Sequence, residues 1–279
     1  MPMKRVTLPS GESVPAFGLG TWNMGDRVSA RAEELAALRA GLDAGATLID
    51  TAEMYGNGRS EQLVAEAIAG RRDEVFLVSK VLPENATRRG TVAACERSLR
   101  NLGTDRIDLY LLHWRGGVPF GETMEALVAL KAAGMIRHFG VSNLDLDDMR
   151  EWYALPGGET TATNQLLYNL TRRGIEFDLL PWLRSRKVPV MAYSPLEQAR
   201  LFSHVGLRRF CTRHGMTPAQ AALAWLLAQD DVIVIPKSAS VARVTENLRA
   251  SEISLDAGQQ AELDAIFPPP TRPRPLEML

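Results

Sequence analysis

Cysteine is scarce: only Cys95 and Cys211 occur among 279 residues. That argues against a disulfide-stapled secreted scaffold. Long hydrophobic runs are absent, so no membrane-spanning helix is expected. The sequence also lacks an excess of either charge. Lys plus Arg is 32, Asp plus Glu is 33, and the net charge is −1. A general nucleic-acid binder would be basic. The segment Met1-Pro2-Met3-Lys4-Arg5-Val6 has no apolar stretch after its charges and does not read as a signal peptide. The cytoplasm is the expected location. No Gly-x-Gly-x-x-Gly follows a strand, because Gly18 and Gly20 lead into Asn23. A Rossmann-type site is therefore unsupported. His113, His138, His204 and His214 show no ligand spacing, and no metal is expected.

What is present is ordinary globular composition, 46% hydrophobic and 23% charged. The opening reads as a β-hairpin, with Val6-Thr7-Leu8 and Ser13-Val14-Pro15 around the turn signal Pro9-Ser10-Gly11. Eight short apolar runs follow: 16–19, 47–49, 75–78, 107–112, 138–141, 163–167, 190–192 and 232–235. Helical patterns lie between them, beginning near Ala30, Ser60, Thr87, Gly121, Leu146, Phe177, Thr217 and Ser240. Gly45, Gly70, Gly103 and Gly134 punctuate C-terminal ends, and Thr217-Pro218 marks an N-terminus. Strands alternating with helices imply parallel βαβ units, and eight of them predict a (β/α)8 TIM barrel of the α/β class with an N-terminal hairpin. No linker interrupts the pattern, so residues 1–279 are expected to form one domain, with a Pro-rich tail from about residue 267. A monomer is expected.

The polar residues recur by position. Asp50, Ser79-Lys80, His113-Trp114, Ser142-Asn143, Gln165, Tyr193-Ser194 and Lys237-Ser238 each stand at the C-terminal end of a predicted strand. Barrel active sites are built at that face. Three of these, Asp50, Lys80 and His113, make chemical sense as a unit with Tyr55. A phenol is a poor acid at neutral pH, and a neighbouring ammonium lowers its pKa. Lys80 would supply the ammonium, Asp50 would hold it charged, and His113 would orient a substrate oxygen. The set would donate a proton to a carbonyl oxygen. The same residues equally fit a buried Lys–Asp ion pair with Tyr55 as core filler.

The ordered motifs carry a resemblance. Gly18-Leu19-Gly20-Thr21-Trp22, Asp50-Thr51-Ala52-Glu53-Met54-Tyr55-Gly56, Ser79-Lys80, Leu111-Leu112-His113-Trp114, Gly140-Val141-Ser142-Asn143, Asn164-Gln165, Ala192-Tyr193-Ser194-Pro195-Leu196 and Ile235-Pro236-Lys237-Ser238 succeed one another along most of the chain. In that order the sequence resembles the aldo-keto reductases, most of all the bacterial methylglyoxal-reductase-like branch. The resemblance implies an NADPH-dependent enzyme reducing small aldehydes and ketones to alcohols by hydride transfer. Tyr55 would be the general acid, with Asp50, Lys80 and His113 as partners. Gly20, Thr21, Trp22, Ser142, Asn143, Gln165, Tyr193, Ser194, Leu196, Ile235, Lys237, Ser238, Arg243, Glu246 and Asn247 would bind NADPH/NADP+. Among these, Ser142, Asn143 and Gln165 would face the carboxamide and Tyr193 would stack on the ring.

Lys237, Ser238 and Arg243 also read as a phosphate site by themselves, since they follow the last strand. The plainer alternative is a solvated helix face, with Arg243 and Glu246 an i,i+3 pair. Trp22 and Trp114 would line the substrate pocket. Arg115-Gly116-Gly117 departs from the Pro found after the Trp in many relatives, which leaves substrate preference there open. The loop after Pro195 and the tail are short, and imply an open pocket. Some members of the family bind NADPH and act mainly as regulatory subunits, so a binding protein with little turnover is the rival expectation.

Overall fold

A computed structural model describes residues 3–279. Its centre is an eight-stranded parallel sheet. The strands are β3 (Gly18–Gly20), β4 (Leu48–Asp50), β5 (Phe76–Val81), β6 (Ile107–Leu112), β7 (Ile136–Ser142), β8 (Asn164–Leu167), β9 (Val190–Tyr193) and β10 (Val232–Val234). They neighbour one another in chain order. The sheet curls until its two edges meet. The Val234 amide donates to the Ala16 carbonyl at 2.8 Å and the Gly20 amide to the Pro236 carbonyl at 3.0 Å. Closure removes both free edges. It also explains the sequence of the strands: covered on both faces, they need continuous apolar runs rather than alternation. Every residue of β5 and β6 is buried.

Local chemistry sets the helices around the barrel. They include α1 (Arg31–Asp43), α2 (Arg59–Ala67), α3 (Arg88–Leu102), α4 (Phe120–Ala132), α5 (Leu146–Tyr153), α6 (Leu179–Ser185), α7 (Val205–His214), α8 (Pro218–Leu227), α9 (Val241–Leu248) and α10 (Ala257–Ile266). Thr87 caps α3 by accepting from the Gly90 amide at 3.0 Å. Gly103 ends the same helix at φ 60°, in the left-handed region that favours glycine. Thr217 and Gln220 close a capping box on α8, with Pro218 in its first turn. α6 begins at Leu179 rather than near Phe177, because a 3₁₀ turn, Gly174–Glu176, precedes it. α7 and α10 are additions to the expected set. Gly140 lies where β7 and β8 approach closely: a Cβ there would stand 2.6 Å from the Thr163 carbonyl oxygen.

The N-terminal hairpin pairs β1 (Arg5–Thr7) with β2 (Ser13–Pro15), one residue earlier on the first strand than the apolar pattern indicates. Val6, Leu8 and Val14 are buried beneath it. Glu12 holds the hairpin to the start of β7, accepting from Arg137 Nη2 at 2.8 Å and lying 2.6 Å from His138 Nε2. The hairpin thus closes the end of the barrel where the strands begin. The Pro-rich tail follows α10 without regular structure, and Leu276 packs against the core. Among the described residues, no helix is long and apolar enough to cross a membrane.

Candidate active site

The opposite end of the barrel opens into a cavity of about 1230 Å³. β4 and β5 bring Asp50 and Lys80 together at its floor. Lys80 is 0% exposed and Asp50 2% exposed. The Lys80 Nζ donates to Asp50 Oδ2 at 2.9 Å, to the Thr51 carbonyl at 2.8 Å and to Tyr55 Oη at 3.2 Å. An ammonium carries three N–H donors, and all three are used. Tyr55 Oη therefore accepts, and its own proton remains available to point into the cavity. Gln165 Nε2 donates to the other carboxylate oxygen, Asp50 Oδ1, at 2.8 Å.

The titration behaviour differs in part from the expectation that Lys80 makes the phenol acidic. Close packing around Tyr55 disfavours the phenolate more than Lys80 favours it, so its pKa lies above the ordinary value. Burial also works against the Lys80 ammonium, but Asp50 and Tyr55 outweigh it and hold Lys80 protonated. His113, 8% exposed, is pushed well below its ordinary value by burial and by Lys80. It is a neutral imidazole at neutral pH. Its ring meets Tyr55 edge-on at 5.9 Å and lies 4.7 Å from the Trp114 ring.

A second polar layer surrounds this floor. Tyr193 Oη donates to Asn143 Oδ1 at 2.9 Å, and Asn143 Nδ2 donates to the His113 carbonyl and to Ser142 Oγ, each at 3.1 Å. Asn143 is at φ 56° and Ser194 at φ 46°, so the chain turns sharply at two strand ends to aim these groups. At the far end of the cavity stand Lys237, Ser238 and Arg243. Among the described residues neither Lys237 nor Arg243 forms an ion pair, and Arg243 and Glu246 do not pair with each other. A cationic cluster that forms no ion pair among the described residues, at the rim of a deep cavity, could hold a phosphate.

A model of the aldo/keto reductase family matches residues 16–267. The chain belongs to the aldo/keto reductase family. It is an oxidoreductase. This reductase is 48% identical to methylglyoxal reductase YeaE of Escherichia coli (strain K12), over 100% of both chains. It is 49% identical to an aldo-keto reductase from Klebsiella pneumoniae solved in complex with NADPH, with a TM-score of 0.97 over 100% of both chains. A thermostable aldo-keto reductase, Tm1743, solved with the inhibitor epalrestat, is 37% identical with a TM-score of 0.88, over 95% of this chain and 100% of that one.

Every site residue singled out from the sequence lines the one cavity, except Lys80, which lies buried directly beneath Tyr55. Three details differ. Gln165 is the second residue of β8, not its last, and reaches the floor from within the barrel. Arg115-Gly116-Gly117 does not line the cavity. Arg115 is held outside it by Asp148 and Glu151, with its guanidinium over the Phe120 ring. The tail, expected to leave the pocket open, reaches it: Met278 and Leu279 form part of the wall. Sequence reasoning also passed over Met54, which stands exposed in the cavity although it lies in the Tyr55 motif. Phe202 was missed as well. An apolar residue one place before Tyr55 was the only available signal.

Proposed function

We propose that this reductase converts small aldehydes and ketones to alcohols at the expense of NADPH, with Tyr55 as the proton donor. One observation carries the reading. A single cavity joins a Tyr55 hydroxyl with a free proton to two cations, Lys237 and Arg243, that form no ion pair among the described residues. Its size exceeds the roughly 300–1,000 Å³ usual for a small ligand. A dinucleotide and a small carbonyl compound together fit that space, and the donor set suits them.

Lys237, Ser238 and Arg243 would hold the 2′-phosphate, with Glu246 and Asn247 beside the adenine. Ser142, Asn143 and Gln165 would take the carboxamide, and Tyr193 would pack on the nicotinamide ring. Gly20, Thr21, Trp22, Ser194, Leu196 and Ile235 would line the channel between. Bound NADPH supplies the hydride that reduces the carbonyl carbon. The residues of the chain do the rest. His113, neutral, donates an N–H to the carbonyl oxygen and fixes its direction. Tyr55 then gives that oxygen its proton. Lys80 stabilises the phenolate left behind, and Asp50 with Gln165 holds Lys80 in place. Trp22, Met54 and Trp114 face the carbonyl compound. The identity with the Escherichia coli methylglyoxal reductase supports small 2-oxoaldehydes as substrates. Both thiols, Cys95 and Cys211, are free and buried, which suits the cytoplasm.

NADPH consumption with methylglyoxal, a benzaldehyde and a steroid ketone tests the reading. Methylglyoxal should be turned over fastest. Tyr55→Phe should lose about 10²–10⁴-fold in rate with NADPH affinity unchanged. Tight NADPH binding without turnover of any aldehyde would instead make the protein a binding subunit. Selective turnover of the steroid would overturn the substrate class.

A further inference from the structure

One buried carboxylate beside the cavity has no part in the chemistry above. Glu197 is 4% exposed. It accepts from Asn169 Nδ2 at 2.8 Å, from Arg172 Nη2 at 2.9 Å and from Arg200 Nη2 at 3.0 Å. Burial pushes the carboxyl upward, but Arg172, Asn169 and Arg200 outweigh it and hold the group below its ordinary range. Its backbone is unusual. Glu197, Gln198 and Ala199 lie at φ 49°, 53° and 67°, three consecutive non-glycine residues in the left-handed region. Such a run persists only where surrounding contacts over-determine it. Here those contacts converge on the Glu197 carboxylate. The strap it anchors, residues 194–202, lines one wall of the cavity through Leu196, Gln198 and Phe202.

The other wall comes from a distant part of the chain. Met278 and Leu279 line the cavity together with Tyr193. Immediately before them, Glu277 accepts from Arg172 Nη1, the same guanidinium that holds Glu197. Arg172 thus uses opposite sides of one planar fork on two carboxylates that are 80 residues apart in sequence but lie in the two walls of one cavity. An ammonium, a point charge, cannot do this in fixed geometry.

We propose that Arg172 is a positioning residue that latches the strap to the tail, so that both walls of the cavity hold their places together. This rests on the proposed function, in which Leu196 of the strap lines the cofactor channel; the tail, on the same cavity as Tyr193, would then border the carbonyl compound. With the latch intact, the contacts of Glu197 keep the strap in its strained form beside the cofactor, and through Arg172 the tail stays at the mouth.

The test uses the full-length protein, with stopped-flow fluorescence for NADPH release and steady-state kinetics for methylglyoxal. Glu277→Gln frees the tail only. It should raise the methylglyoxal KM about three- to fivefold, the scale of a partly exposed ion pair, and leave kcat and NADPH release within about twofold. Arg172→Ala frees both walls. It should raise KM similarly and also speed NADPH release about tenfold, since Glu197 loses its main partner. The double variant should match Arg172→Ala alone, because the tail contact is already gone. If Arg172→Ala does not fold, Arg172→Lys serves. It keeps a charge beside Glu197 and should raise KM as Glu277→Gln does, with release unchanged. Arg172 variants with wild-type KM and release would overturn the latch, as would effects that multiply in the double variant. Wild-type turnover of methylglyoxal in the same assay shows that only the latch has failed. A wild-type protein that binds no NADPH would remove the proposed function itself.

Discussion

Replacing Lys80 by Met tests the floor of the site most directly. The side chain keeps its length and loses its charge. In the wild type the Lys80–Asp50 pair is sealed from solvent at 2.9 Å. At an effective dielectric of about 20, that separation corresponds to about 6 kcal/mol of attraction, most of it offset by the several kcal/mol needed to desolvate each ion. The pair as a whole therefore adds little. Removing one member is another matter, because Asp50 remains buried with Gln165 as its side-chain donor. The expected loss is about 3–5 kcal/mol. For a chain of 279 residues that lowers Tm by about 5–9 °C. The phenol also loses the one cation that favours its anion, so methylglyoxal reduction should fall about 10²-fold or more. Differential scanning calorimetry and initial rates measure the two effects. The double variant Lys80→Met, Asp50→Asn separates them. It removes the stranded charge and should recover most of the Tm but none of the rate. A single variant as stable as the wild type would refute the buried ion pair. A double variant with restored activity would refute the role of Lys80 beside Tyr55.

Three further outcomes follow from the geometry. Lys237→Ala should weaken NADPH by about 10–100-fold, as expected for a lost charge-assisted contact, and leave NADH nearly unchanged; equal weakening in isothermal titration would remove the phosphate assignment. Tyr55 donates from its protonated form, so the rate falls as pH rises through its pKa, which is raised above 10.0. His113 works as the neutral imidazole, so loss on the acid side begins only well below its ordinary 6.5. The pH profile of kcat/KM for methylglyoxal should thus be flat from about 6 to about 10, and a break near pH 7 would contradict it. Gly140→Ala places a methyl 2.6 Å from the Thr163 carbonyl oxygen and should cost about 1–3 kcal/mol, read as a Tm drop of about 2–5 °C; an unchanged Tm would mean that β7 and β8 can separate at no cost.

Much of the barrel could be read from the chain because its strands are buried on both faces. Apolar runs bounded by glycine and capping residues then mark each βα unit, and all eight predicted strands overlap the observed ones. The polar ring was readable for the same reason: in a continuous apolar run, an Asp50, Lys80 or His113 at the end stands out. Two helices escaped. α10 carries a capping box, Asp256 with Gln259, that was available as a signal, and α7 lies between His204 as its N-cap and Gly215 at its C-terminus. Both follow stretches without a preceding strand, where the alternating pattern offers no help. Balances of opposing forces were less legible. Spacing brings Lys80 to Tyr55, but only three-dimensional packing shows that burial outweighs the ammonium. The tail at the mouth was hidden too, since proline predicts extended chain and says nothing of where that chain lies.

The plug formed by residues 5–15 has a practical consequence. With one mouth sealed by Glu12 against Arg137 and His138, robustness and reactivity are anchored at opposite poles of the same cylinder. Reinforcing the sealed pole, by cavity filling or added cross-links, can harden the molecule against heat while the reacting groups at the other end of the strands keep their positions. Reshaping the open pole for other carbonyl compounds can in turn draw on that reserve.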